Sequence, residues 1–134
     1  MHVQRFTSER KASLPAPNVG IAAVPLLFGR EQVATLSAAQ MTARFNGVPI
    51  LIDGSAAVVM LYFEPHAQMD EHSNPRNTLF VALRGQGHMR IGGLAGETQA
   101  VQAGEAVLWP PNVDHLVWTD EEPLDALVIE LPLP

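Results

Sequence analysis

The sequence contains no cysteine, which excludes disulfides, thiolate metal ligands and cysteine nucleophiles together. Lysine occurs once, at Lys11, and 8 Lys+Arg against 14 Asp+Glu leave a formal charge of −6. No basic stripe exists to neutralise phosphates, so nucleic acid is not an expected partner. Charged residues make up only 16% of the chain and hydrophobic ones 47%, a composition too apolar for a disordered polypeptide. No apolar run approaches the roughly 18 residues needed to cross a membrane. The arginine-bearing start, residues 1–11, has no apolar stretch behind it of the kind a secretory leader needs. The expectation is a soluble cytoplasmic protein without a membrane partner.

At 134 residues the chain has room for one core, since a chain of this length buries roughly two thirds of its unfolded surface. Residues 1–25 are rich in Pro, Ser, Ala and Asn, and Leu14-Pro15-Ala16-Pro17-Asn18 favours extended or turn geometry. They read as an N-terminal arm, either a frayed end or a cover for a sheet edge, and residues 26–134 read as a single domain. Ser37 with Gln40 three residues on resembles a capping box and Asn46-Gly47 can end a short helix, although strand fits this stretch nearly as well. Residues 48–52 read as extended, because Pro49 and the β-branched residues around it disfavour helix.

From Gly54 onward short apolar or alternating runs are cut by Gly, Pro, Asn and Asp at intervals of about 8 to 12 residues, which is an all-β rhythm. Strands are expected over 57–64, 69–74, 78–84, 87–91, 97–101, 106–109, 115–119 and 124–131. Turns are expected at Arg84-Gly85-Gln86-Gly87, Gly92-Gly93, Ala103-Gly104-Glu105 and Pro110-Pro111-Asn112. Several strands are apolar on both faces, as in Leu79, Val81 and Leu83 against Phe80 and Ala82. A strand with one face in water alternates instead. One face therefore lines an interior, and the other is covered, which makes a homodimer the expected assembly.

Two segments carry a specific pattern. In the first, His66, His72, Asn74, Thr78 and Gly85 fall in register with a motif of glycine, two histidines, glutamate and glycine. In the second, Gly104, Pro110 and His115 match a motif of glycine, proline, glycine, histidine and asparagine, with Asn112 and Thr119 in the second glycine and the asparagine positions. These are the motifs of the cupin superfamily, and the chain resembles a small single-domain cupin with degenerate ligand positions. The resemblance implies a double-stranded β-helix, or jelly-roll barrel, with at most one or two short helices. In metal-binding cupins two histidines and a glutamate of the first motif and the histidine of the second hold a divalent ion. Carried over, those positions are His72, Asn74, Thr78 and His115.

Only two of the four keep their chemistry. Two neutral imidazoles can bind zinc, nickel, manganese or iron, but a usual site needs three or four strong donors, and Asn74 and Thr78 are weak ones. A metal held by His72, Asn74 and His115 is therefore expected to be weakly bound. Asp70 or His66 can restore a donor if the chain bends. The competing reading makes His72 and His115 hydrogen-bonded interior histidines.

Side chains alternate along a strand. Asp70, His72 and Asn74 therefore share one face, Thr78, Phe80 and Ala82 line the same interior, and His115, Val117 and Thr119 join them. His88 is expected to face solvent. Trp109 and Trp118 can stack on a ligand but fit core or interface positions better. Tyr62 and Glu64 share a face near a pocket mouth. The ligand-binding candidates are His72, Asn74, Thr78, Phe80, His115 and Tyr62. The leading expectation is a barrel binding a small polar or carboxylated molecule, with the two histidines as hydrogen-bond donors or weak metal ligands. A metal-dependent enzyme of dioxygenase or isomerase type and an inert sensory or assembly module are the alternatives, since the barrel hosts many functions.

Overall fold

The computed structural model describes residues 9, 11–24 and 57–130; the helix-or-strand stretch after Leu26 and the extended residues 48–52 lie outside them. The described residues form strands β1 Ala12–Ser13, β2 Val19–Val24, β3 Ala57–Gln68, β4 Thr78–Ile91, β5 Glu97–Gln102, β6 Ala106–Trp109, β7 His115–Trp118 and β8 Leu124–Glu130. A single 3-10 turn, Gly93–Ala95, is the one helical element named among them.

All strand pairs are antiparallel, and four of them close a circuit. β3 pairs with β8, β8 with the first half of β4, the second half of β4 with β7, and β7 with the end of β3. β8 and β7 lie one after the other between β3 and β4 and so have a neighbour on both edges. β6 and β5 extend the sheet along the two halves of β4, and β2 and β1 extend it from β3. Residues 12–24, read from sequence as part of an arm, are thus two strands of the sheet. They carry Leu14, Ile21 and Ala23 into the core.

The core follows from the period of two. On β4, Thr78, Phe80 and Ala82 are buried while Leu79 and Val81 are half-buried, and on β8 Leu124, Ala126, Val128 and Glu130 are buried in turn. Phe80 meets the edge of Phe63 at 6.5 Å and lies tilted against Trp109 at 5.2 Å. Burying an aromatic of this size contributes roughly 1.5–3 kcal/mol by area.

Two expectations about local structure fail. The glycine-rich stretch Arg84-Gly85-Gln86-Gly87 is not a turn, because β4 runs through it without a break and the hairpin to β5 lies beyond Ile91. The chain passes there from the β6/β8 side to the β5/β7 side, with a register shift between Ala82 and Arg84. Gly85 has φ of 80°, and an added Cβ would collide with the Pro123 carbonyl. At Gly87 an added Cβ would sit 2.7 Å from the Trp118 carbonyl oxygen. These glycines serve close strand crossing and not reversal. The second failure is the strand over 69–74: β3 continues to Gln68, and the residues beyond it pair only through an isolated bridge between His72 and His115.

Candidate functional site

His72 and His115 come together through that bridge. The His72 N–H donates to the His115 carbonyl at 3.2 Å, and the His115 N–H donates back to the His72 carbonyl at 2.8 Å. One residue pair further out, the Asn112 N–H donates to the Asn74 carbonyl at 2.7 Å. The segment bearing His72 is fastened at other points as well. Asn18, buried in the N-terminal strand region, accepts the Asp70 N–H at 3.0 Å, and the Arg90 guanidinium on β4 bonds the Glu71 carboxylate.

The two positions where the motif has glycine and this sequence does not, His66 and Asn112, are the positive-φ non-glycine residues of the described chain, at 58° and 61°. The backbone keeps the left-handed turns while the residue changes, which asparagine and histidine tolerate better than most. Thr119 stands in the motif's asparagine position. Its hydroxyl accepts the Ala67 N–H at 2.9 Å and its own N–H donates to the Ala67 carbonyl at 3.0 Å, stitching the chain after β7 to β3.

At this end of the barrel lies a cavity of about 430 Å³, counting the solvent at its mouth, lined by Val59, Leu61, Met69, His72, Asn74, Thr78, Trp109, His115, Val128 and Glu130. The walls are apolar and the polar groups cluster, the usual build of a small-molecule site. The His72 and His115 rings meet edge-on with centroids 4.5 Å apart, and Trp109 stacks on His115 at 3.9 Å. Trp109 in turn donates its Nε1–H toward Met89 Sδ at 3.5 Å.

The hydrogen bonds define the tautomers. His72 Nδ1 lies 2.7 Å from the Asp70 carbonyl oxygen and His115 Nδ1 lies 3.2 Å from that of Val113. A carbonyl oxygen only accepts, so in both rings Nδ1 carries a proton, and a neutral ring held this way accepts at Nε2. Hydrogen-bond donors or weak metal ligands are expected from the sequence; the Nδ1 protons are taken up by the backbone. Burial pulls the His115 pKa down to about 4, with the nearby His72 ring adding to the effect and the Val113 carbonyl opposing it. At neutral pH His115 is therefore uncharged.

Of the candidates read from sequence, His72, Asn74, Thr78 and His115 line one cavity. Phe80 does not; it is fully buried in the core beside Phe63 and Trp109. Tyr62 also lies elsewhere, half-buried on the outward face of β3 with Lys11 5.9 Å from its ring centre, its pKa raised by burial and by Asp125. His66 is exposed and faces Glu121 at 3.4 Å, and Asp70 stays outside the lining, so neither supplies the missing donor. His88 is half-buried rather than fully solvent-facing, stacked on Trp118 and bonded to Asp120 at 2.7 Å.

The sequence reading missed Glu130, a buried carboxylate in the same lining. Its signal was present: Leu124, Ala126, Val128 and Glu130 form one inward row, and a charge there breaks the apolar pattern. The four-ligand metal centre that the resemblance implies does not fit these residues. Thr78 offers a hydroxyl in the glutamate position, and among the described residues no three His, Asp or Glu side chains converge to hold an ion.

A closed antiparallel barrel with paired histidines at one end defines a jelly-roll of the double-stranded β-helix type. The sequence profile of the cupin domain matches residues 59–130, and the chain belongs to the cupin family. A cupin-like protein from Thermotoga maritima superposes with a TM-score of 0.65, at 19% identity, over 94% of this chain and 81% of its own. The polyketide cyclase RemF from Streptomyces resistomycificus does so with a TM-score of 0.66, at 12% identity, over 97% and 80%. An RmlC-like cupin with a double-stranded beta-helix fold from Methanocaldococcus jannaschii gives 0.57, at 17% identity, over 61% and 74%. At these identities the likeness concerns the fold. No curated protein matches the chain. No helix among the described residues is long and apolar enough to span a membrane.

Proposed function

We propose that the barrel binds a small polar organic molecule at the His72–His115 end, and that the molecule enters as a hydrogen-bond donor. The observation that carries this reading is the pair of Nδ1 contacts to backbone carbonyls, which turn both imidazoles into acceptors at Nε2. A carboxylated ligand, acceptable to donor histidines, fits acceptor histidines poorly. Met69, Val59, Leu61 and Val128 supply the apolar wall, and Trp109 holds the His115 ring in plane by stacking.

A divalent ion would use the same two Nε2 atoms and competes for this reading. Without a third strong donor its affinity is expected to be low. The experiment is a titration of the purified protein with catechol and benzyl alcohol as donor probes, with benzoate as the carboxylate control, and with zinc. Chemical shifts of the His72, His115 and Trp109 rings and the melting temperature are followed. The donor probes are expected to shift those rings and raise the melting temperature, since a ligand bound only by the folded form stabilises it. Unmoved rings at saturating probe, or tight stoichiometric zinc binding, would overturn the reading.

A further inference from the structure

The segment that carries His72 leaves β3 at Gln68, and its course depends on the N-terminal strands. Val19, the first residue of β2, pairs with Gln68, the last residue of β3. That register sets Asn18, one position before β2, beside the chain that follows β3. The Met69 N–H donates to the Val117 carbonyl at 2.9 Å, whereas the Asp70 N–H meets a side chain and donates to Asn18 Oδ1 at 3.0 Å. Asn18 is held at its other end: Nδ2 donates to the Pro15 carbonyl at 3.0 Å, and the backbone N–H donates to the same oxygen at 3.2 Å. An amide only 7% exposed thus has both its oxygen and its nitrogen bonded, as burial of such a group demands.

The carbonyl of the same residue takes the His72 Nδ1–H at 2.7 Å. Asp70 is therefore gripped at its N–H from the N-terminal segment while it grips the imidazole through its C=O. Beyond this carbonyl the Glu71 carboxylate is bonded by Arg90 of β4. A ring bonded at Nδ1 keeps one orientation only as well as its backbone partner keeps its own. His115 is held in the same manner by the Val113 carbonyl, on the chain before β7, and so provides an internal comparison.

We infer that Asn18 is a positioning residue of the cavity: it fixes the Asp70 backbone so that the Asp70 carbonyl holds the His72 ring at Nδ1. The N-terminal strands then belong to the machinery of the site as well as to the sheet, although Asn18 itself touches no ligand. The holding of the ring stands on these bonds alone, and its effect on ligand affinity rests on the reading of the cavity as a small-molecule site.

The test follows the exchange with water of the two imidazole Nδ1–H protons in the full-length protein, in Asn18→Ala and in Ile21→Val. Ile21→Val trims a core residue of β2 and leaves Asn18 in place, so it reports general loosening of the N-terminal strands. Asn18→Ala is expected to speed exchange of the His72 proton about tenfold, the size of one net hydrogen bond, and to leave that of His115 within about twofold. Ile21→Val is expected to move neither. Equal acceleration at both rings, the same acceleration of His72 in Ile21→Val, or an unchanged His72 proton in a folded Asn18→Ala overturns the inference. The unaltered protein decides the matter if Asn18→Ala does not fold: its Asp70 amide is expected to exchange at least about tenfold more slowly than an unstructured one, and exchange at the unstructured rate overturns the inference. Benzyl alcohol, titrated into the same proteins and read at the Trp109 and His115 rings, is expected to bind several-fold more weakly to Asn18→Ala than to Ile21→Val. Should it move no ring in the unaltered protein, the small-molecule reading falls, while the exchange rates still decide whether Asn18 holds His72.

Discussion

His115 sits where an imidazole is hard to charge, 2% exposed between Trp109 and His72, and its stability cost has a definite pH window. Its pKa is near 6.5 unfolded and about 4 folded, so the unfolded chain takes up the proton first as pH falls. The contribution of neutral His115 is complete above 6.5 and is lost as pH drops toward 4, amounting to roughly 3 kcal/mol at the acid end. Urea unfolding at pH values across that window is expected to show this loss in the unaltered protein and a flatter profile in His115→Gln. At Asn112, with φ of 61°, glycine is expected to be neutral or stabilising by a few tenths of a kcal/mol and valine to cost about 1–2 kcal/mol. Thermal melts of the two variants check the difference. The histidine pair was legible in the sequence because motif spacing reports which strands converge. The direction of their hydrogen bonds was not, since it depends on the Asp70 and Val113 carbonyls, and Glu130 was passed over although the charge at the end of the inward apolar row of β8 marked it.

β4 is the element that makes the barrel, since its two halves pair with different neighbours on either side of Gly85. Gly85→Ala must accept a left-handed φ and a collision with the Pro123 backbone together. It is expected to cost at least about 3 kcal/mol, against about 1 kcal/mol for Gly104→Ser, whose positive φ strains a side chain but where an added Cβ meets nothing within 4 Å. Denaturant midpoints of both variants decide whether steric contact or φ dominates. Sequence rhythm located most of the strands because Gly92-Gly93, Ala103-Gly104-Glu105 and Pro110-Pro111-Asn112 do interrupt them, although only the first folds the chain back on the strand before it, β5 and β6 both running antiparallel to β4. The same chemistry misled at Gly85, where the glycine admits a neighbouring backbone. Composition alone does not separate these two uses of glycine.

Over the whole molecule, the inward faces close on themselves and the outward face of β4, β6 and β8 remains apolar. Leu79 is paired with Leu108 and Ile129, and Val81 with Leu127, while Leu83 and Leu108 are about half exposed. We propose that a second copy covers this face, as the doubly apolar strands led the sequence reading to expect. Sedimentation at micromolar concentration is then expected to give a dimer that Leu108→Glu weakens, and a monomer would contradict it. The polar end of the barrel depends on a narrower point, the protonation of two rings. The most direct measurement is the long-range proton–nitrogen spectrum of the histidine side chains at neutral pH. Nδ1–H with unprotonated Nε2 is the expected state of both His72 and His115, with the Nε2 signals moving when a donor probe binds. Protonated Nε2 in either ring, or a charged His115, would contradict the acceptor site.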